Sequence, residues 1–547
     1  MVILMLPSHI STPREATLYY DGIYDSLIST GQAYPFVYPW ASAGAGVVIL
    51  YLLVDHRQSR ILELLRFPVF AVLFAFSAWT IATNRARNPA AAFGVGLISA
   101  WGTLWVSTFM VIRDCQTAFR RIERSEAVPL GTEGATTNGS ATGSEKFAPP
   151  QNGALKQRHP CRTTSLQNAD SIQGPASRQG PLFWQAYPSA PFHERLDWVA
   201  DIFCSFRGVG WSWQISGIPP APKWVQSQLS GHPTLADPSE ITSTSHTGLK
   251  RYNDRTALLH ASLRHVLIGI FVLDVLKTII AHDAYFWGNM HAPPPSYLPP
   301  YIRTSHTLVK SYRLLTSLAA IYTALCTIFK LGPLFFSGLL GPKLIGVRGE
   351  AWMQPDSFGS YTTVLDKGLP GWWGGWWHQT FRYAFEAPAT KLLEVWGVDK
   401  RSQLGKIVSL CVAFFLSGCL HACGSYTQLG DSRPLRGPMC FFLLQILGIL
   451  GQTYTSQVLI KAGVTQQMPR VVRQLANFVV VHVWLYHTAP LLVDDFARGG
   501  IWLFEPLPFS PLRGLGLGAR DDGWYCWGDG VIFWKTGKHF WETGLAF

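Results

Sequence analysis

The apolar residues of this chain fill whole runs of about twenty positions, parted by polar segments, rather than recurring on one face of an amphipathic pattern. Eight such runs stand out: Tyr34–Val54, Leu62–Ala82, Ala90–Ile112, Ala261–Ala281, Leu314–Phe336, Leu404–Cys423, Pro438–Ile460 and Val471–Val493. A helix that is apolar all round needs an apolar surrounding on every side. The pattern therefore predicts an all-α polytopic membrane protein, a bundle of about eight transmembrane helices. Pro68 interrupts the second run and Gly332-Pro333 the fifth, which membrane helices tolerate where neighbours satisfy the freed backbone groups.

Between the third and fourth runs the character changes twice. Residues 126–180 are rich in Gly, Ser, Thr, Asn, Gln and Pro and poor in aromatics, a composition expected to stay disordered. From Pro181 the chain turns aromatic (PLFWQAYPSAPFHERLDW) and predicts an ordered block lying against the membrane. The organisation read from these shifts is three N-terminal transmembrane helices over 1–125, a disordered polar insert over 126–180, and a core over 181–547 with the remaining spans and a C-terminal tail. Arg113, Arg120, Arg121 and Arg124 follow the third run directly, which favours a cytosolic insert. The same orientation places Lys367, Arg382, Lys391, Lys400 and Arg401 in the cytosol. Asn138-Gly139-Ser140 is a glycosylation sequon that matters only in a lumenal loop. The N-terminus lacks a basic segment before its short apolar stretch, so the first span is expected to direct multi-pass insertion, most naturally into the endoplasmic reticulum.

Composition sharpens this. Of 547 residues 48% are hydrophobic and only 14% charged, against about a quarter charged in soluble domains. The 22 tryptophans suit the boundary between lipid and water. A net charge of +12 is spread between the runs without a dense basic stripe, so anionic lipid explains it better than nucleic acid, and no nucleic-acid partner is expected. Several of the nine cysteines (Cys326, Cys411, Cys419, Cys423, Cys440) sit in apolar runs and act as small hydrophobes rather than a disulfide framework.

His421 lies inside the run Leu404–Gly424, where an ionisable group is costly and marks a functional site. A neutral imidazole there has a nitrogen free to take a proton. Upstream, Trp372-Trp373-Gly374-Gly375-Trp376-Trp377-His378-Gln379 places a second histidine in an aromatic, Gly-rich segment. Read as a helix from Trp376, the stretch puts Trp377, Phe381, Phe385 and Leu392 on one face, as an interfacial helix would. Cys419, His421 and Cys423 do not make a metal site, because in a helix His421 points about 200° from Cys419. His193-Glu194-Arg195-Leu196-Asp197 has the H-x-x-x-D spacing of soluble acyltransferases, yet surface salt-bridging explains it without their domain. Asp274 and Lys277, at i and i+3, either pair or line a polar cavity. His482 and His487 lie on different faces of one helix and form no ligand pair. The Gly514-Leu515-Gly516-Leu517-Gly518 string has neither strand before it nor helix after it and reads as a loop.

Arg207-Gly208-Val209-Gly210-Trp211-Ser212-Trp213 with Pro219-Pro220, then the block Trp373 to Arg382, then Ser417-Gly418-Cys419-Leu420-His421 together resemble the wax-synthase-like branch of the membrane-bound O-acyltransferases. The resemblance covers roughly residues 190–490 in order and spacing. It implies transmembrane and interfacial helices enclosing a tunnel, with His421 as catalytic base and His378 as a second catalytic residue. It further implies substrate-binding roles for Trp373, Trp377, Gln379, Arg382, Arg207, Trp211 and Ser417. The usual W-G-R-R-W-H string reads W-G-G-W-W-H here and lacks two basic residues. By the resemblance no cofactor or metal is bound, and acyl-CoA serves as co-substrate. The partners are the lipid bilayer, acyl-CoA and a hydrophobic alcohol. Resemblance to fungal secondary-metabolite members favours acetyl-CoA and a terpenoid-type alcohol. The alternatives are a wax ester synthase using a long-chain alcohol and, from another class, a transporter or lipid-binding protein. The last lacks the internal repeat and paired broken helices typical of transporters. Deleting residues 128–176 is expected to leave acyl transfer largely intact, whereas deleting 183–220 should abolish it. Labelled acyl-CoA assays on membranes carrying each deletion test both outcomes.

Overall fold

The computed structural model describes residues 6–7, 9–125, 180–231, 241–520, 522–528 and 531–547. The insert expected to be disordered over 126–180 lies outside them except for Gly180. The order of elements is α1 (Pro13–Ser29), β1 (Val37–Tyr38), α2 (Ala43–Leu52), α3 (Arg66–Thr83) and α4 (Pro89–Ser107). The strands β2 (Arg121–Arg124) and β3 (Leu182–Gln185) follow, then α5 (Phe192–Cys204), α6 (Arg255–Ala281) and α7 (His306–Pro333). The last third holds α8 (Arg382–Trp396), α9 (Gln403–Tyr426), α10 (Cys440–Lys461), α11 (Arg470–Thr488), β4 (Phe533–Lys535) and β5 (Gly544–Ala546).

Among the described residues, six helical stretches are long and apolar enough to cross a membrane: Arg60–Thr83, Pro89–Ile112, His306–Gly349, Gln403–Tyr426, Leu435–Lys461 and Arg470–Arg498. Two of the eight expected spans differ from these for separate reasons. α6 has 27 residues, about 40 Å of helix, but carries Arg264, Asp274 and Lys277. The first expected span, Tyr34–Val54, keeps only the apolar helix Trp40–Leu52, about 20 Å long, because its first residues form strands.

The crossings alternate between two faces. One face holds the segments 113–125, 180–231, 241–254 and 346–402, and the other holds α1, residues 282–305 and the described residues of the C-terminal segment. On the first face β2 pairs antiparallel with β3, Arg121 opposite Gln185 and Arg124 opposite Leu182. The backbone N–H of Ser125 donates to the Pro181 carbonyl at 3.0 Å, so the two ends of the insert meet. Asp197 of α5 binds Arg121 at 2.5 Å and Arg348 at 2.8 Å. The H-x-x-x-D string is thus tied into an ion-pair network that fastens the aromatic block to the bundle.

Asp274 and Lys277 bond to the C-terminal segment instead of to each other. Asp274 accepts from the Ser510 hydroxyl and from the Leu512 N–H. Lys277 donates to the Trp502 carbonyl at 2.5 Å and pairs with Glu505 at 3.5 Å. These charges sit near the second face, where the segment after α11 folds back and satisfies them.

Within the bundle α6 packs on α7, and α9 packs on α4, α8 and α10. The α4–α9 crossing is close because Gly96 meets the α9 backbone: a Cβ there would fall 1.9 Å from the Cys423 carbonyl oxygen. Thr427 completes the contact, donating to the Ala92 carbonyl at 2.7 Å while accepting from the Gly96 N–H at 3.0 Å. That crossing fixes the rotation of α9, and with it the direction of His421.

Candidate active site

A cavity of about 940 Å³ runs through the bundle, bounded by α7, the 370–386 segment, α9, α10 and α11. One stripe of α9 lines it: Lys406, Ser409, Leu410, Ala413, Phe414, Ser417 and His421. These positions recur at three- and four-residue steps, as one helix face must. Lys406 and His421 are fifteen residues apart, about 22 Å along the axis, so the cavity is deep. Lys400 and Lys406 line it near the first face; Ser311 and Tyr486 line it toward the second. Leu315 and Val483 also line it, yet are 60% and 53% exposed. Side chains in a closed wall would be far less exposed, so the cavity opens sideways between α7 and α11.

His421 Nδ1 lies 2.8 Å from the Ser417 carbonyl oxygen one turn earlier. A carbonyl only accepts, so Nδ1 carries the proton and Nε2 of the neutral ring keeps its lone pair. The ring packs against Phe442 of α10 at 4.4 Å. The result is an oriented acceptor on the wall of an apolar chamber, as a general base requires.

His378 does not lie on a helix running from Trp376, as the sequence suggested. The turn Trp372–Trp376 ends, the backbone extends at Trp377, and α8 begins only at Arg382. Gln379 accounts for the break: its side-chain amide donates to the carbonyls of Trp373 at 3.0 Å and Trp377 at 2.6 Å, occupying acceptors that a continuing helix would use. His378 is left in the break, lining the cavity within 5.7 Å of the rings of Phe329, Phe358, Trp377 and Phe381. Its Nδ1 is buried without a hydrogen-bond partner. Burial first, then the neighbouring His421 and Arg207, lowers its pKa from 6.5 to about 3. His378 is a neutral ring at physiological pH.

The cavity brings together His378, His421, Trp373, Trp377, Gln379, Arg382 and Ser417. Trp373 is held by its indole N–H on Gln445 Oε1 at 3.3 Å, and Trp484 donates to the same oxygen at 3.2 Å. Arg382 pairs with Glu386 at 2.7 Å and donates to Gln379 Oε1 at 3.0 Å. Arg207 and Trp211 stand apart from this lining. The Arg207 guanidinium donates to the carbonyls of Asp356 at 2.6 Å and Pro355 at 2.8 Å, and so clamps the loop that carries Phe358. Trp211 is 2% exposed and packs edge-on against Trp198. Both residues support the site from behind, Arg207 through these hydrogen bonds and Trp211 through its packing.

Sequence reasoning missed His482, which shares the cavity with His487 although the two lie on different helix faces. The chamber is wide enough to curve around α11. His482 donates from Nδ1 to the Phe478 carbonyl at 2.8 Å, and Tyr361 O–H stands 3.4 Å from its Nε2. Gln445 was also missed, since one amide in an apolar run gives little signal. The α9 stripe was legible: Lys406, Ser409, Ser417 and His421 already fall on one helical face.

Fold and site together define a polytopic all-α membrane protein with an oriented histidine in a deep apolar chamber. Residues 354–444 match the model of the membrane bound O-acyl transferase family. It is 25% identical over 309 residues to O-Mevalon transferase macI of Penicillium terrestre, covering 54% of this chain and 61% of that protein. It is 33% identical over 276 residues to Acetyltransferase aurG of Calcarisporium arbuscula, covering 48% and 56%. Acetyltransferase spyB of Aspergillus fumigatus is 24% identical over 261 residues, covering 46% and 37%. The chain thus spans less than two thirds of the length of each of these curated relatives. No solved structure matches it.

The lowered pKa of His378 has a consequence for stability. Between its ordinary value of 6.5 and about 3, the unfolded chain binds a proton that the folded one refuses. Its contribution therefore falls as pH drops below 6.5 and is flat above it. Replacing His378 with Phe is expected to flatten the loss of melting temperature of the detergent-solubilised protein between pH 6.5 and 4. An unchanged slope would show that His378 titrates freely in the folded state.

Proposed function

We propose that this protein is an integral-membrane O-acyltransferase that moves an acyl group from acyl-CoA to the hydroxyl of a hydrophobic acceptor, with His421 as general base. The observation that carries the reading is the hydrogen bond from His421 Nδ1 to Ser417, which leaves Nε2 as the basic atom of a cavity-lining ring. In the reaction the acceptor O–H gives its proton to Nε2 as its oxygen attacks the thioester carbonyl. The tetrahedral adduct collapses, the C–S bond breaks, and the CoA thiolate takes the proton back from the imidazolium. General base catalysis of this kind contributes about 10²–10⁴-fold. Neutral His378 orients the acceptor or the thioester, and the apolar walls keep out water that would hydrolyse the thioester.

The donor's polar end meets the charged mouth at the first face, the cytosolic one in our reading, with the endoplasmic reticulum as the host membrane. The acceptor reaches the chamber from the bilayer through the opening between α7 and α11. Relatives named as acetyltransferases support an acetyl donor, and the resemblance of the motifs to fungal secondary-metabolite members supports a terpenoid-type alcohol. The O-mevalon transferases support a mevalonyl donor as a second reading, and an assay offering both acyl-CoAs separates them.

His421→Ala is expected to lower kcat by about 10²–10⁴-fold while the protein stays inserted and monodisperse; normal turnover of the purified variant would remove His421 from the chemistry. Arg382, paired with Glu386 at the mouth, is expected to act through donor binding. Arg382→Gln should raise the KM for acyl-CoA more than it lowers kcat, because phosphate contacts hold ground and transition states alike. An unchanged donor KM would assign Arg382 to its hydrogen bond with Gln379 alone.

A further inference from the structure

The second face carries a small sheet in the order β1–β5–β4, whose outward row is apolar as well as most of its inward one. Val37, Ala546 and Phe533 stand opposite one another across the strands; Val37 and Ala546 are 2% and 1% exposed against the body of the protein. The next row, Tyr38, Leu545 and Trp534, points the other way and is 37%, 39% and 70% exposed. Opposite residues on paired strands share a face, so these three make one outward stripe. Beside it Trp40 donates to the Thr543 carbonyl at 3.0 Å and stacks edge-on with Phe540 at 5.0 Å. A soluble sheet would turn polar side chains outward here.

The length of α2 says what covers the stripe. Its first-face end is fixed at the polar boundary by Asp55 and Arg57, which pair at 2.7 Å directly after Val54. From there the helix Trp40–Leu52 climbs only about 20 Å of a hydrocarbon core about 30 Å thick. β1 precedes it immediately, so the sheet begins before the second membrane boundary is reached. The outer surface of α2 (Leu50, 68% exposed) runs toward the same side. We propose that the β1–β5–β4 sheet is a membrane-interface element, its Tyr38–Leu545–Trp534 stripe seated among the acyl chains just below the headgroups of the second leaflet. Its aromatic rings then act as an interfacial belt, and the sheet completes a span that α2 alone is too short to make.

Photo-crosslinking in phosphatidylcholine vesicles tests this on the full-length protein. p-Benzoylphenylalanine is placed singly at positions 534 and 545, at 50 as a lipid-facing reference, and at the exposed position 226 of the polar helix Lys223–Ser230 on the other face as a water-facing one. Phospholipid adducts at 534 and 545 in yields comparable to 50, with little at 226, are the expected result. Lipid adducts at 50 but at neither 534 nor 545 would overturn the proposal. So would cross-links from 534 or 545 to a second copy of the chain, which would make the stripe a protein interface. Probing two neighbouring positions keeps the test decisive where one variant fails to fold.

Discussion

The chemistry proposed for this protein depends on the direction of one imidazole, and a backbone carbonyl sets it. In a membrane helix the carbonyls are committed to the i→i+4 ladder, but each retains a second lone pair. Ser417 uses its own to bind His421 Nδ1 at 2.8 Å. The bond settles the tautomer without a carboxylate, which suits a low-dielectric site where a buried acid would carry a heavy desolvation cost. Gly96 against Cys423 then fixes the rotation of α9, so the remaining nitrogen belongs to the cavity and not to lipid. Helix packing performs the orienting work that a third residue does in soluble hydrolases.

The opposite wall is built on another economy of hydrogen bonds. Gln379 and Gln445 are buried, and each binds more than one group: Gln379 holds two tryptophan carbonyls and Arg382, and Gln445 holds two indole N–H groups. Their effect is to break the chain at His378 and hold Trp373 edge-on against Phe414 of α9 and Phe441 of α10. An apolar residue at either position would leave indole or carbonyl groups unsatisfied at bilayer depth, at about 1–3 kcal/mol each. The tryptophans are thus held in register by amides rather than by close packing alone.

Apolar periodicity made the helices legible because lipid demands it of every exposed turn. It failed where a segment is satisfied by protein instead. α6 keeps Asp274 and Lys277 because residues 501–513 fold back to bind them, a contact between parts of the chain more than 220 residues apart that no local pattern announces. The expected helix from Trp376 failed for a similar reason, since the hydrogen bonds of the Gln379 side chain compete with the backbone. Arg207 and Trp211 were readable as important but not as supporting: a motif records that a residue is required and is silent on whether it faces substrate or holds the loop behind. His421, His378, Trp373, Trp377, Gln379, Arg382 and Ser417 do meet in one chamber. Each is a polar or bulky aromatic group where lipid would favour an aliphatic one, and that is the signal sequence can carry.

The chamber's proportions bear on specificity. Lys406 and His421 are about 22 Å apart along α9, so a donor whose polar end stays at the mouth must present its thioester at the end of a long, narrow arm. On the proposed reading the donor is then held by its shared, non-reacting part, while the acyl group meets the wall near His421, Phe442 and Trp373, all of which line the cavity. Discrimination between acyl groups that differ by a few carbons must come from that small region, where each methylene buried or excluded is worth about 1–3 kcal/mol. On the same reading the acceptor comes by another route, through the gap beside Leu315 and Val483. Donor and acceptor selection are therefore separable on this architecture, one by the end wall of a deep tunnel and the other by two helices facing the bilayer.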